Sequence, residues 1–518
     1  MARRHESVSL DRLIATVKRY PTWRVLALAH ELSLKEEDRE DKPWRVERVR
    51  PLGAFRKREY VHITQFDLAF LAKLSILYSS DLRTNSPDPN AVFELIALCG
   101  SLDDAFRHGA KDKFAAWSFL LRTAWLQFPS QSGIGYLLPR YYVMFRWVND
   151  GISDRPFDVP SAWRDLTGLS LEEAMVLGLL LWTQAHTSRF FQTIEVQGPG
   201  MDRLRLLTAE EKLGPALALA GTDYQGFREL QSQYHVADPL YAKTEFNALV
   251  KRPLVSVPRR GWIAPIPRLV MERFTGGIFF DLVDAFSGTK RNEFLDYFGT
   301  LFEEYAGMLM RHGWGDSKVI HEPRYGREEK RGPDWIVVEG EKALLFECKS
   351  SRLKLPTRTV ADEEAVRADM RRMFVEPLKR YPKKIEDLQS GSAGVDLTGV
   401  KEFYPCIAVA EKIYLEPIYR DIIDEELRAA GTEPFEYYLI DIEHLEVFSG
   451  WAAQVSVADI LDGWSRARLE EPPTDFDVWI GRRAKEMNLG FECPLLARAL
   501  EEFRGRYLAP NGVAEARQ

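Results

Sequence analysis

From Leu10 to about Tyr241 apolar residues recur at helical spacing, and the clearest stretches are Trp23 to Leu34, Thr64 to Tyr78, Ala91 to Leu98, Lys113 to Phe128 and Leu171 to Ala185. Loop punctuation such as Asn85-Ser86-Pro87-Asp88-Pro89 separates them. Asp103, Thr208 and Ser170 stand where helices can be capped, and Glu172 and Glu173 support Ser170 by placing negative charge in an early turn. Between Phe246 and Asp281 the pattern shifts to Val250, Leu254, Val255, Val257 and Ile263 among Pro253, Pro258, Pro265 and Pro267. Short strands and turns fit that stretch better than helix, which puts a boundary near residue 245.

Helical spacing returns from Glu293 to Met310, with Phe294, Phe298, Leu301, Phe302, Tyr305 and Leu309 on one stripe and Gly313 as the expected stop. A strand is expected at Lys318 to His321. Next come two short apolar runs, Trp335 to Val338 and Ala343 to Phe346, on either side of a charged turn. They predict a β-hairpin. Tyr404 to Ala410 and Tyr437 to Ile442 read as buried strands, with a helix from Pro417 to Ala430 between them, and helical patterning resumes from about Val455 to Tyr507 before a tail at Ala509 to Gln518. The chain is therefore expected to be multidomain, a mainly α-helical N-terminal half followed by an α/β domain with a mixed central sheet. The expected division is a helical regulatory or recognition region over 1–245, a β-rich connector over 246–292, the α/β domain over 293–450, and a helical segment and tail over 451–518.

The hairpin carries the chemistry. If Gly340-Glu341 is its two-residue turn, Glu339 pairs with Lys342 and, five residues further out, Asp334 stands opposite Glu347. Lys349 follows two residues on, along the same face. Directly opposed carboxylates repel, so a compensating cation is expected, and hard oxygen ligands suit Mg²⁺, for which Mn²⁺ can substitute. A neighbouring ammonium can then orient or activate the attacking water, as metal-assisted phosphodiester hydrolysis requires. The bland alternative is a surface hairpin whose charges are merely solvated.

Pro333-Asp334 followed by Glu347-Cys348-Lys349 at the end of an apolar strand resembles the signature of the PD-(D/E)xK nuclease superfamily, and Gly299-Thr300-Leu301-Phe302-Glu303-Glu304-Tyr305 is similar to the helical motif that precedes it there. The resemblance covers about residues 290 to 450. It implies a restriction-endonuclease-like fold, metal ligation by Asp334, Glu347 and the Cys348 backbone carbonyl, a water-activating Lys349 and an upstream acid at Glu303. Helical geometry alone does not choose between Glu303 and Glu304. The implied activity is that of a Mg²⁺-dependent nuclease, an endonuclease before an exonuclease, acting on DNA in bacterial defence against phage or foreign DNA. The competing expectations are a nucleic-acid-binding scaffold on an inactive nuclease fold and a DNA repair or recombination nuclease. A homodimer, or a partner protein supplying sensing or motor activity, is compatible with this, because no G-x-x-x-x-G-K-[ST] phosphate loop occurs in the chain.

Net charge changes the picture only locally. The whole chain of 518 residues stands at −7, but Arg311 to Ser390 holds 18 Lys and Arg against 15 Asp and Glu. Arg331, Arg352, Lys354, Arg358, Lys379, Lys383 and Lys384 are the candidates for phosphate contact. Arg and aromatic residues interleave at Tyr141 to Trp147 and could stack on bases, although at helical spacing core packing is the simpler reading. The four cysteines show no paired spacing and point to a reducing compartment without a disulfide framework. Neither an apolar leader nor a run long enough to cross a bilayer is present, so a cytoplasmic protein is expected.

Overall fold

The helices expected from periodicity form, and what they bury decides how the chain divides. A computed structural model describes residues 10–37, 45–52, 55–107, 113–127, 134–287, 292–327, 329–469 and 474–509. Two compact units share the chain: one holds 1–138, 160–285 and 503–518, the other 139–159 and 286–502. The N-terminal residues before Leu10 and nearly all of the expected tail lie outside the described residues.

In the first unit, helices Leu10–Val17, Thr22–Glu37, Gln65–Tyr78, Pro89–Arg107, Lys113–Gln127 and Leu171–Thr187 match the apolar stretches. Ser170 caps the last of them in a full capping box with Glu173. Asp103 instead lies inside Pro89–Arg107, and Thr208 closes the helix Asp202–Leu207 instead of opening the next. Leu13, Leu26, Leu68, Leu71 and Ile96 share one apolar core with Leu249, Val255, Val257 and Ile263. The strands Leu254–Val257 and Gly261–Ile263 therefore belong to this core, and the units divide at 285/286 where composition suggested 245. A stretch read as a connector is held by burial: its prolines shorten the strands but do not keep Val255 and Ile263 out of the core. The segment before them is also pinned, since the buried Lys73 ammonium donates to the Ala242 carbonyl at 2.8 Å and to Glu245 at 3.2 Å.

The second unit begins its α/β part with α1 (Glu293–Trp314), followed by β1 (Val319–His321), β2 (Trp335–Glu339) and β3 (Lys342–Lys349). Then come α2 (Tyr381–Gln389), β4 (Glu402–Val409), α3 (Glu416–Ala429), β5 (Tyr438–Asp441) and α4 (Ile442–Trp451). The sheet runs in the order β5-β4-β3-β2-β1. β3, β4 and β5 are parallel, and the β2–β3 and β1–β2 pairs are antiparallel. Gly340, at φ +64°, makes the turn, and the ladder runs from Glu339 opposite Lys342 to Trp335 opposite Phe346. β3 is a central strand, so its residues Ala343 to Glu347 are all buried, the continuous apolar pattern of a strand covered on both faces.

Helix α1 covers this hairpin closely. A Cβ on Gly307 would lie 2.1 Å from the Trp335 ring, and one on Gly313 would lie 2.8 Å from the Ser449 Cα of α4. Gly313 is therefore a contact point within the helix, and Gly315, at φ +86°, is the residue that ends it. The segment 139–159 joins this unit through a buried pair: Arg140 donates to both Glu446 carboxylate oxygens at 2.6 and 2.7 Å, and the Tyr305 hydroxyl donates to Glu446 at 2.6 Å. Tyr141, Tyr142 and Phe145 are buried there, so the aromatic run is core and not a base-stacking surface. Between β3 and α2, Asp362 caps the helix Glu363–Met370, accepting from Ala365 N–H at 3.1 Å.

The α1–hairpin contact is testable. Gly307→Val should lower the stability of the protein by about 3 kcal/mol, because neither the helix backbone nor the Trp335 ring can withdraw without losing core contacts. Urea denaturation followed by tryptophan fluorescence checks this. Parent-like stability would mean that α1 does not approach Trp335 as described.

Candidate active site

The β2–β3 ladder stops one pair short of the acidic residues, so Asp334 sits in the bend that enters β2 and Glu347-Cys348-Lys349 ends β3. Asp334 reaches across the mouth of the hairpin, where its Oδ2 accepts from the Cys348 backbone N–H at 2.6 Å. Glu347 is buried at 6% exposure, a carboxylate at the end of the run of buried residues in β3. Lys349 Nζ stands 3.5 Å from Glu347 Oε2. Lys384 of α2 contacts the other oxygen, Glu347 Oε1, and donates to the Gly332 carbonyl at 2.7 Å. Helix α2 delivers it: the buried Tyr381 hydroxyl donates to the Leu345 carbonyl at 2.9 Å and the Cys406 carbonyl at 2.7 Å, and three residues on is the next position of the same helical face.

Glu303 arrives by the same spacing on α1. Gly299, Glu303 and Gly307 follow at intervals of four, and the two glycines are where the helix nears the hairpin; a Cβ on Gly299 would lie 3.5 Å from the Ser350 hydroxyl. The Glu303 backbone carbonyl accepts from the Trp335 indole N–H at 3.0 Å, and its carboxylate pairs with His321 Nε2 at 3.1 Å. The His321 ring lies on Trp335 with centroids 4.3 Å apart. The hydrogen bond to Glu303, aided by the charges of Glu304 and Glu322, raises the His321 pKa. Sequence reading passed over His321; its signal was only its place one strand from the hairpin.

Charge at this rim is not balanced. Burial first, and the neighbouring charge of Glu347 second, push the Asp334 carboxyl up to about 7, with Glu303 adding to the rise and Lys349 opposing it. Burial and the same carboxylates raise the Cys348 thiol well above its usual range, so it is an inert neighbour. Among the described residues no group of three or more His, Cys, Asp or Glu side chains is gathered as for a metal ion. The donor set nevertheless fits Mg²⁺, which takes one or two carboxylates and fills its other positions with water and phosphate oxygen. Asp334 and Glu347 would hold it, with the Cys348 carbonyl as the remaining backbone candidate.

The expected phosphate contacts separate into two groups. Arg331, Lys354 and Lys383 are exposed, Arg331 beside Glu322 at 3.2 Å and Lys383 beside Glu386 at 2.9 Å. Lys379 pairs with Glu376 at 3.4 Å. Arg358 is held by Glu411, and the Arg352 guanidinium lies over the Phe298 ring at 5.7 Å. Lys384 is the clearest revision: its side chain is 13% exposed and turned inward onto Glu347, so it is part of the acidic rim and not of an outer phosphate track. No protein family, no curated protein and no solved structure matches the chain.

The raised Asp334 pKa sets a pH dependence. An acid with a higher pKa in the folded state than its ordinary 3.8 binds more protons when folded, so the stability it allows is lost as pH rises from about 4 to about 7. Without divalent cations, Asp334→Asn should be more stable than the parent at about pH 8, by about 2 kcal/mol, and equal to it near pH 4. Thermal and urea melts across that range check it. Equal stability at the alkaline end would mean that the Asp334 charge is already compensated.

Proposed function

We propose that this chain is a metal-dependent nuclease whose second unit hydrolyses phosphodiester bonds, with DNA as the first substrate to test. The observation that carries the reading is the meeting of Asp334 and Glu347 at one hairpin rim, where Lys349 and Lys384 both pair with Glu347 and neither pairs with Asp334. In this reading Asp334 and Glu347 hold Mg²⁺ through their carboxylates. The ion, when bound, polarises a phosphoryl oxygen and lowers the pKa of a bound water. Lys349 would orient the attacking water, whose oxygen bonds to phosphorus as the bond to the leaving deoxyribose oxygen breaks and a proton passes to that oxygen through solvent. Glu303, fixed by Trp335 and His321, adds negative charge behind the metal ligands. Exposed Arg331, Lys354 and Lys383 meet the phosphate backbone. The first unit is read as the part that recognises or regulates.

A second reading has its own support. Lys384 already sits on Glu347, and no three-ligand cluster is assembled among the described residues, which suits a nucleic-acid-binding scaffold on a nuclease-like fold.

The two readings part in one gel series with plasmid, linear duplex, single-stranded DNA and RNA, in Mg²⁺ or chelator. Cleavage is expected in Mg²⁺ and not in chelator. Lys349→Ala should slow it on the order of 10²-fold while leaving the fold and most of the affinity intact. Asp334→Ala and Glu347→Ala should abolish it. Binding without cleavage in Mg²⁺ or Mn²⁺ would replace the nuclease reading by the scaffold one.

A further inference from the structure

Both oxygens of Glu347 are engaged by ammonium groups, Oε2 by Lys349 and Oε1 by Lys384. Asp334, by contrast, has no ion pair among the described residues and accepts a backbone N–H. The positive charge at the rim is therefore lopsided: Glu347 is covered and Asp334 is not. Lys384 also holds the Gly332 carbonyl, two residues before Asp334, so one ammonium bridges the two strand ends that a shared cation would bridge. It reaches them from α2, an element fixed by Tyr381 and separate from the hairpin itself.

We propose that Lys384 is the resident counter-charge of the metal site: its ammonium occupies the Glu347 oxygen that a divalent cation needs, and metal uptake displaces it. This deepens the nuclease reading and rests on its metal site. A dication brought to Glu347 meets two ammonium groups within a poorly hydrated rim, where like charges repel far more than in water. Lys349 is the more exposed of the two and contacts the oxygen at the longer distance. Lys384 is the enclosed one. A lysine suits a releasable role, since its compact charge ends a flexible four-carbon stem and can swing away while keeping the Gly332 carbonyl in reach, which the rigid fork of an arginine does less readily. Lys384 is thus a positioning residue acting through Glu347, and it keeps the buried acid paired until metal arrives.

Mn²⁺ binding to the full chain, followed by the loss of the free aquo-ion EPR signal, tests this independently of cleavage. Lys384→Met should bind Mn²⁺ about tenfold or more tightly than the parent, and Lys384→Gln, which keeps a donor for Gly332, should do the same. Lys384→Arg should stay within about threefold of the parent, because the charge is retained. Adding Glu347→Gln to Lys384→Met should erase the gain. In chelator the methionine variant should melt below the parent, and Mn²⁺ should raise its melting temperature by more than it raises the parent's. Parent-like or weaker Mn²⁺ affinity in both neutral variants overturns the assignment, even if the parent cuts nucleic acid. A parent that binds Mn²⁺, gains affinity on losing Lys384 and yet cuts nothing keeps the assignment and removes the nuclease reading. A parent that binds no Mn²⁺ removes both.

Discussion

Two carboxylates at the end of one enclosed hairpin repel each other, and much of the second unit can be read as the means of holding them there. Glu347 closes a strand whose five residues from Ala343 are buried, so its charge cannot be hydrated by leaning outward. Asp334 lies just outside the ladder, where its carboxylate accepts from the Cys348 N–H. The enclosure itself comes from α1, whose Gly307 lets helix backbone approach the Trp335 ring closer than any side chain would permit. The closer that approach, the lower the polarity around the acids and the higher the energy of ionising both. The sheet's apolar packing and the acids' instability are one construction.

Part of this was legible because it is local. Alternating and continuous apolar runs on either side of Gly340 define the hairpin and its register without any distant contact, and the observed pairing of Glu339 with Lys342 is what that turn imposes. Ser170 with Glu173 likewise carries its own geometry in four residues. What the pattern did not hold were the long-range terms. Gly313 reads as a helix stop until Ser449 is seen against it, after which it is the only residue type that fits and Gly315 does the stopping. The association of 139–159 with the second unit depends on Arg140 and Glu446, 306 positions apart. The apparent connector after residue 245 depends on which core its strands enter.

The candidate site shows the same division. Asp334, Glu347 and Lys349 stand on one hairpin, and a period of two brings them to one rim. Glu303 and Lys384 come from helices, and a helix presents several charged faces of equal merit until its packing partner is known. For Glu303 the choice over Glu304 follows from its contacts with Trp335 and His321, one turn before Gly307 meets the Trp335 ring, and none of these is visible before the hairpin is placed against α1. For Lys384 composition pointed the wrong way. It sits in a basic run with Lys379, Arg380 and Lys383, and runs of like charge are ordinarily solvated. Tyr381, by anchoring three residues earlier, turns this one lysine inward.

A second buried charge cluster in the same unit shows why imbalance, and not mere crowding of ionisable groups, marks the rim. Asp441 ends β5 and caps α4, accepting from Glu443 and His444 N–H at 3.0 and 2.9 Å. His444 lies 3.1 Å from Asp441 and 2.9 Å from Asp477, while Lys412 pairs with Glu443 and Asp477 at 2.8 and 2.9 Å. Burial by itself would raise the Asp441 pKa, but His444 and Lys412 outweigh it and hold the carboxyl far below its usual range. Burial would lower His444, yet the two carboxylates carry it up to about 10. Asp441, His444, Lys412 and Asp477 are each driven towards the charged form, so the cluster is a matched lattice that fastens strand to helix. At Asp334 the same burial meets the like charge of Glu347, which Lys349 opposes without outweighing, and the shift runs towards the neutral form. A charge set that is already satisfied gives an incoming ligand little to improve. One left unsatisfied inside a well-packed sheet is lowered in energy by any positive charge brought to it.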